Sequence, residues 1–213
     1  MKIKKCKNCK SSNLLNLFSL GNLNFTGKFP KSKSTNINKS HLGLIMCKKC
    51  SLIQLSRSYN LKYLYGPDYG YRTGINKTMR DHMNEISKML SKKSNLAPND
   101  YVLDIASNDA TLLNFYNKNI VKVGIDPLVN KYIKYYKKID YKISDFFSSS
   151  KILKKKIKNK FKIITALSVF YDAKDPNQFL KDVNTLLSED GIFLLEHADL
   201  LSILKLKMFD TIC

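Results

Sequence analysis

The sequence predicts an α/β protein: a domain with a parallel sheet, preceded by a small zinc-ribbon-like domain. Three observations lead there. Four of the five cysteines fall into two C-x2-C pairs, Cys6/Cys9 and Cys47/Cys50. From Tyr101 onward, strand-like and helix-like segments alternate, the pattern of a parallel sheet covered by helices on both faces. Tyr101 to Asp109 reads Tyr-Val-Leu-Asp-Ile-Ala-Ser-Asn-Asp, a short apolar run that ends in an acid and opens into a polar loop.

A chain of 213 residues holds one domain of ordinary size plus a small one, and 44% hydrophobic content supports a core. The net charge of +20 is almost all lysine, since Arg57, Arg72 and Arg80 are the only arginines. Nucleic-acid readers favour arginine forks and aromatic platforms. The charge is therefore read as a solvated lysine-rich surface, with nucleic acid an unlikely partner. No apolar segment follows the basic start Met1 to Cys6, which argues against a signal peptide. The stretch Ile163 to Phe170 is too short to span a bilayer. The expectation is a cytoplasmic chain with reduced thiols and no membrane partner.

Each C-x2-C pair can place two thiolates on one tetrahedral metal ion through a tight turn whose amides point at the sulfurs. Lysines inside the pairs are expected to lower the thiol pKa values. A redox C-x2-C comes singly, so the doubled pair points to structural Zn2+ held by Cys6, Cys9, Cys47 and Cys50. Four sulfur ligands leave no open position for catalysis. Leu42 to Met46 and Leu52 to Leu55 flank the second pair as the strands of a ribbon hairpin. A module this small draws its folding energy from the metal.

Tyr59 to Ile75 interleaves tyrosines, Tyr69 and Tyr71 among them, with glycines. Such a run can stack on a ligand or pack as an interdomain loop. Ile75 to Leu90 has helical spacing, with Ile75, Met79, Met83, Ile86 and Leu90 on one face and Thr73 as its N-cap. His82 lies one position off that stripe and is read as solvated. Leu96 to Asp100 is a turn into the main domain.

In that domain the predicted strands are Tyr101 to Ile105, Val121 to Ile125, Tyr141 to Ser144, Phe161 to Leu167 and Ile192 to Glu196. The predicted helices are Asp109 to Asn117, Leu128 to Lys137, Ser148 to Lys158, Asn177 to Leu187 and Asp199 to Lys207. Ser107, Asn108 and Asp109 suit the N-cap of the first helix.

Parallel strands end on one edge, where α/β folds place nucleotide sites. Asp104 ends the first strand. Asp126, before Pro127, ends the second, at a spacing that suits an acid accepting from both ribose hydroxyls of an adenosine group. Asp145 and Phe146 follow the third strand, where an acid can accept from an adenine amino group and a ring can cover its face. Ser168 follows the fourth and closes the pocket. The loop Ala106-Ser107-Asn108-Asp109-Ala110 lacks the glycines that let a helix N-terminus approach a pyrophosphate, and Asp109 is expected to repel one. A cofactor with an amino-acid tail and a sulfonium charge suits these acids better, which favours S-adenosylmethionine over a dinucleotide.

The chain resembles the zinc-containing class I methyltransferases that include the sugar C-methyltransferases of deoxysugar biosynthesis. The likeness rests on the two C-x2-C pairs, Leu20-Gly21, Gly27-Lys28-Phe29-Pro30, and Cys50 to Leu55. It continues through Tyr69-Gly70-Tyr71-Arg72-Thr73-Gly74, Ile105 to Asp109, Gly124-Ile125-Asp126-Pro127, Leu187 to Gly191, and Phe209-Asp210-Thr211-Ile212-Cys213. It implies a zinc domain over 1–60, an aromatic loop and helix over 61–98, and a Rossmann-like methyltransferase domain over 99–213. It also implies an acceptor that is a nucleotide-linked keto-deoxysugar, methylated at carbon after a base removes the proton beside the ketone. Tyr69 and Tyr71 are the in-chain candidates to face that acceptor. In the family, the chain continues beyond the position of Cys213 with a His-Glu-His segment that looks catalytic and then a third domain, so the resemblance implies that the main catalytic motif lies beyond Cys213 and that the chain is an incomplete fragment. The family usually has glycine at the position of Ala110, and often at Ala106. If the backbone there has positive φ, each alanine costs about 1 kcal/mol. The rival reading is a non-catalytic zinc ribbon that binds RNA or protein.

Overall fold

A computed structural model describes residues 1–25, 32, 36–66, 68–157 and 159–208. The Gly27 to Pro30 and Phe209 to Cys213 parts of the family likeness lie outside the described residues. In chain order the strands are β1 (Leu14–Asn24), β2 (Lys39–Cys47), β3 (Ile53–Leu55), β4 (Tyr101–Ile105), β5 (Val121–Ile125), β6 (Tyr141–Ile143), β7 (Phe161–Leu167) and β8 (Leu187–Glu196). The α-helices are α1 (Leu61–Leu64), α2 (Lys77–Lys93), α3 (Ser149–Leu153), α4 (Pro176–Leu186) and α5 (Leu200–Leu206). The chain divides into two compact units: Met1–Gly70 with Asp172–Asn177 and the segment from Ala198, and Tyr71–Tyr171 with Gln178–His197.

The first unit is an antiparallel sheet in the order β1-β2-β3. The predicted hairpin is β2 and β3, and β1 adds a long edge strand that its short apolar run did not announce. Leu44 and Ile203 form a small core with Phe18, Leu42, Ile53, Leu55 and Leu200 around them. So few buried residues bring little stabilisation by burial alone.

The second unit is built on a five-stranded, all-parallel sheet in the order β6-β5-β4-β7-β8. The strand order reverses between β4 and β7, which makes the carboxyl end of that pair the topological switch point. Val102, Leu103, Ile105, Val123, Ile125, Ile163, Ile164 and Ala166 are essentially inaccessible. Both faces of the inner strands are covered, so apolar residues stand at successive positions, interrupted by the buried Asp104, Lys122 and Thr165.

Two predicted helices are corrected. Asp109 to Asn117 contains only a 3-10 turn at Leu113–Phe115, and Leu128 to Lys137 only one at Ile133–Tyr135. Both segments are rich in Asn, Tyr and β-branched residues, which gain little in a helix. Asn114 donates both its backbone and its side-chain amide to the Ala110 carbonyl, at 3.0 and 2.9 Å, so a single helix-like bond forms there without extending into an α-helix. The predicted Ser148 to Lys158 helix is confined to α3. Helix α2 forms as predicted, with Met83, Ile86 and Leu90 buried. Its N-cap, however, is Asn76, which accepts from the Thr78 amide at 2.8 Å. Ile75 lies before the helix and is 64% exposed.

Candidate functional site

The carboxyl ends of β4 and β5 hold the two predicted acids side by side. Both are buried, and neither has a cationic partner among the described residues. Asp104 lies in register with Thr165 on β7, whose hydroxyl donates to Asp104 Oδ1 at 2.6 Å. Burial pushes the Asp104 carboxyl up to about 7; the Thr165 bond pulls the other way and the charge of Asp126 adds to the rise. The Tyr116 hydroxyl is also buried and has no hydrogen-bond partner among the described residues. Asp126 accepts from the Asn108 amide at 2.9 Å and from the Leu128 amide at 2.6 Å. Burial raises its pKa, and those two amides oppose the rise. Each carboxylate oxygen still has a lone pair to spare.

The loop between β4 and the 3-10 turn is wound tightly. Ala106, Asn108 and Ala110 have φ of 58°, 47° and 61°. This left-handed conformation favours glycine. Tyr136 donates to the Asn108 carbonyl at 2.8 Å, and the Ser107 hydroxyl lies 2.8 Å from the Tyr136 hydroxyl. Gly124 on β5 permits that approach, because a Cβ there would lie 2.9 Å from both Ser107 Oγ and Tyr136 Cε1.

The side chains of the loop are turned toward the segment Tyr71 to Gly74. Asn108 Oδ1 accepts from the Thr73 amide at 3.0 Å, and Asn108 Nδ2 donates to the Tyr71 carbonyl at 3.3 Å. Asp109 Oδ2 accepts from Arg72 Nη1 and from the Gly74 amide, both at 3.0 Å, while Oδ1 accepts from the Thr111 hydroxyl at 2.5 Å. Arg72 also lies 4.5 Å above the ring of Tyr135. The repulsion of a pyrophosphate expected of Asp109 meets a carboxylate that is buried and paired with Arg72. Asp104 and Asp126 are the buried acids of this edge that have no cation beside them among the described residues. Ser107, Asn108 and Asp109 hold the loop and its strap in place, so the loop presents its backbone. The N-cap role predicted for these three lapses with the helix they were to cap.

Of the remaining predicted positions, Pro127, Asp145, Phe146 and Ser168 follow β5, β6 and β7 at the carboxyl edge of the sheet. Pro127 is half-buried and its carbonyl accepts from Ser144 at 3.3 Å. Asp145 pairs with Lys151 at 2.7 Å and accepts from the Phe146 amide at 2.8 Å. Phe147, next to Phe146, packs on Phe179, which packs on Phe170. Ser168, at φ 52°, donates its amide to the Glu196 carbonyl at 3.0 Å. Tyr71 is 46% exposed at the start of the sheet unit. Tyr69 belongs to the N-terminal unit, where it meets Tyr65 edge to face. The sequence reading missed His82, whose Nε2 lies 2.5 Å from Glu196 Oε2. The only available signal was an acid at the end of β8.

In the N-terminal unit the four sulfurs of Cys6, Cys9, Cys47 and Cys50 all lie within 4.8 Å of one another. Cys6 and Cys50 are 3.6 Å apart and Cys9 and Cys47 3.5 Å, close to the edge of about 3.8 Å that tetrahedral Zn–S bonds of 2.3 Å define. The two turns are built alike. Lys10 donates its amide to the Cys6 carbonyl and Ser51 to that of Cys47, and both have φ near 60°. Burial opposes ionisation of Cys47, but the amides of Cys50 and Lys49 bring its pKa down to about 6. Backbone amides, rather than the lysine charges first expected, favour this thiolate.

No family model matches the sequence, and no curated protein matches it. Solved structures do. The plantazolicin methyltransferase BamL, in complex with a triazolic desmethylPZN analog and SAH, superposes with a TM-score of 0.51 at 22% identity, over 63% of this chain and 52% of that one. The plantazolicin methyltransferase BpumL, likewise with SAH, gives 0.50 at 16% identity, over 65% and 54%. The PH0226 protein from Pyrococcus horikoshii OT3 gives 0.51 at 18% identity, over 71% and 72%. The chain spans about half the length of the plantazolicin methyltransferases that it matches. At such identities the likeness speaks for the fold, and that fold, an α/β unit on a five-stranded parallel sheet, is the methyltransferase fold.

Proposed function

We propose that the protein is an S-adenosylmethionine-dependent methyltransferase whose acceptor is a nucleotide-linked keto-deoxysugar, methylated at carbon. The observation that carries the cofactor reading is the pair Asp104 and Asp126, two buried acids without a cation at the carboxyl ends of adjacent parallel strands beside the switch point. A cationic ligand with a ribose fits them. Asp126 accepts from the ribose hydroxyls with its spare lone pairs while its backbone donors hold it still. Asp145 and Phe146 bound the adenine end, and Ser168 and the backbone of the Ala106 to Ala110 loop close the site. The cofactor supplies an electrophilic methyl group; the chain supplies the orientation and excludes water.

The four cysteines hold a structural Zn2+ in this reading. The metal fixes the two turns and, through them, the segment after β7. Lys7, inside the first turn, donates to the Ala173 carbonyl at 3.0 Å, and the Asn177 side chain donates to the Asn8 carbonyl at 2.9 Å.

Calorimetric titration of S-adenosylhomocysteine into the zinc-loaded chain tests the cofactor reading. Saturable binding is expected, weakened at least tenfold in Asp126→Ala. Absence of heat from a chain with intact circular dichroism would remove the reading. The sugar acceptor is tested separately, by transfer of a radiolabelled methyl group to a thymidine-diphosphate-linked 4-keto-6-deoxyhexose.

A further inference from the structure

Asp104 and Asp126 stand where two carboxylates are hard to keep ionised together. Asp104 lies opposite Gly124 on β5, and Asp126 follows Gly124 by two positions. Both are buried, and no cationic side chain balances either among the described residues. Arg72, the arginine of the adjoining loop contact, is paired with Asp109. Two like charges in such a place favour uptake of a proton by one of the acids.

Their hydrogen-bond partners decide which acid takes it. Asp126 accepts from the amides of Asn108 and Leu128, one on each oxygen. A backbone amide can only donate, so both bonds favour the ionised form. Asp104 faces a hydroxyl instead. Thr165 Oγ1 lies 2.6 Å from Asp104 Oδ1 and 3.3 Å from the Leu103 carbonyl oxygen. A hydroxyl both donates and accepts. Beside an ionised Asp104, Thr165 donates to the carboxylate. Beside a neutral Asp104, it accepts from the carboxyl O–H and turns its own proton to the Leu103 carbonyl. Each protonation state thus has a satisfied arrangement, and the two differ by rotation of one O–H bond. The other titratable groups that feel Asp104 are the buried phenols Tyr116 and Tyr136, and neither brings a positive charge. Burial accordingly pushes the Asp104 carboxyl up to about 7.

We propose that Asp104 couples cofactor binding to a proton: the free chain stores a proton on the Asp104–Thr165 pair, and a ligand bearing a positive charge displaces it to solvent. This rests on the methyltransferase reading above and adds a pH dependence to it. The O–H bond of the Asp104 carboxyl breaks, its electron pair stays on the carboxylate, and the proton passes to water. Thr165 then turns its hydroxyl from Leu103 to Asp104. Affinity rises with pH until Asp104 is ionised in the free chain, and levels off above that. An acid with a merely structural role would hold its proton without regard to the ligand.

Calorimetric titration of S-adenosylhomocysteine into the zinc-loaded chain, in buffers of different ionisation enthalpy, counts the protons released. About 0.9 proton per ligand is expected at pH 6 and close to none at pH 8.5, with affinity about tenfold weaker at pH 6 than at pH 8. Methylthioadenosine keeps the adenosine group without a charge, and should bind with no proton released. Asp104→Asn should bind S-adenosylhomocysteine without proton release and without the pH dependence. Thr165→Val removes the hydroxyl from both states; bonds to charged groups are the stronger, so the midpoint should rise by about half a unit to one unit. Binding by the wild type with no proton released at pH 6 would overturn the proposal and leave the cofactor reading intact, as would equal release by Asp104→Asn. No binding at any pH would overturn the cofactor reading, and the linkage with it. The stored proton has a readout that needs no ligand. The infrared carbonyl stretch of a protonated carboxyl should fade with a midpoint near pH 7 in the wild type and be missing from Asp104→Asn. Identical titrations of the two proteins would overturn the proposal even in a chain that binds no cofactor.

Discussion

Thr165 on β7 donates its hydroxyl to Asp104 on β4, at 2.6 Å, and no cation among the described residues pairs with the acid. The bond satisfies one carboxyl oxygen but does not offset the cost of burying charge, and the group holds its proton up to about 7, against 3.8 when unperturbed. Between these values the folded chain keeps a proton that the unfolded chain releases. The stability this brings is present at low pH and is lost as pH rises through the folded value. Asp126 shifts in the same direction. Urea unfolding at pH 5 and pH 8 should show the wild type losing stability relative to Asp104→Asn, which cannot ionise. The difference should reach a few kcal/mol at most, at about 1.4 kcal/mol per pKa unit. Parallel behaviour of the two proteins would show that Asp104 is not the group responsible.

The hold of the Ala106 to Ala110 loop on the segment Tyr71 to Gly74 depends on Arg72 and Asp109. The Asp109 side chain is 1% exposed and that of Arg72 23%. Arg72→Met leaves a buried carboxylate without its cation and should destabilise the chain by about 3 kcal/mol. Asp109→Asn should cost less at neutral pH, since it removes the charge and still offers an oxygen to the Gly74 amide. Equal costs for the two variants would mean that hydrogen-bond geometry, not charge, holds the strap.

Two alanines occupy left-handed backbone, at φ 58° for Ala106 and 61° for Ala110. Glycine relieves about 1–2 kcal/mol of strain at such a position, offset by about 0.5–1 kcal/mol of extra chain entropy in the unfolded state. Ala106 is only half-buried, so Ala106→Gly should raise stability by about 0.5–1 kcal/mol in thermal unfolding. Ala110 is fully buried, and losing its methyl contacts costs about 0.8 kcal/mol. Ala110→Gly should therefore be close to neutral. The ordering of the two variants is the expected result; the reverse ordering would place the strain elsewhere.

If the cysteine cluster binds zinc, elemental analysis should give one metal ion per chain, and Cys47→Ser should lose it. Chelation should then unfold the N-terminal unit, whose core is too small to fold without the metal. Full retention of metal in Cys47→Ser would exclude a four-cysteine site.

The alternation of segments and the two C-x2-C turns were legible in the sequence. Each is set by local periodicity or by ligand spacing along the chain. The same holds for Asp104 and Asp126, because parallel strands of similar length must end on one edge. The sequence could not reveal that the first two crossovers lack α-helices. There, helix propensity is weak and each segment keeps only a 3-10 turn. Nor could it reveal where loop side chains turn. Asp109 looked like a group facing a ligand, and only packing shows it spent on Arg72 and Gly74. His82 looked like a solvated residue on a helix surface. Its meeting with Glu196, 114 residues away in the chain, is decided when α2 settles along the sheet, and no local pattern encodes a contact of that range.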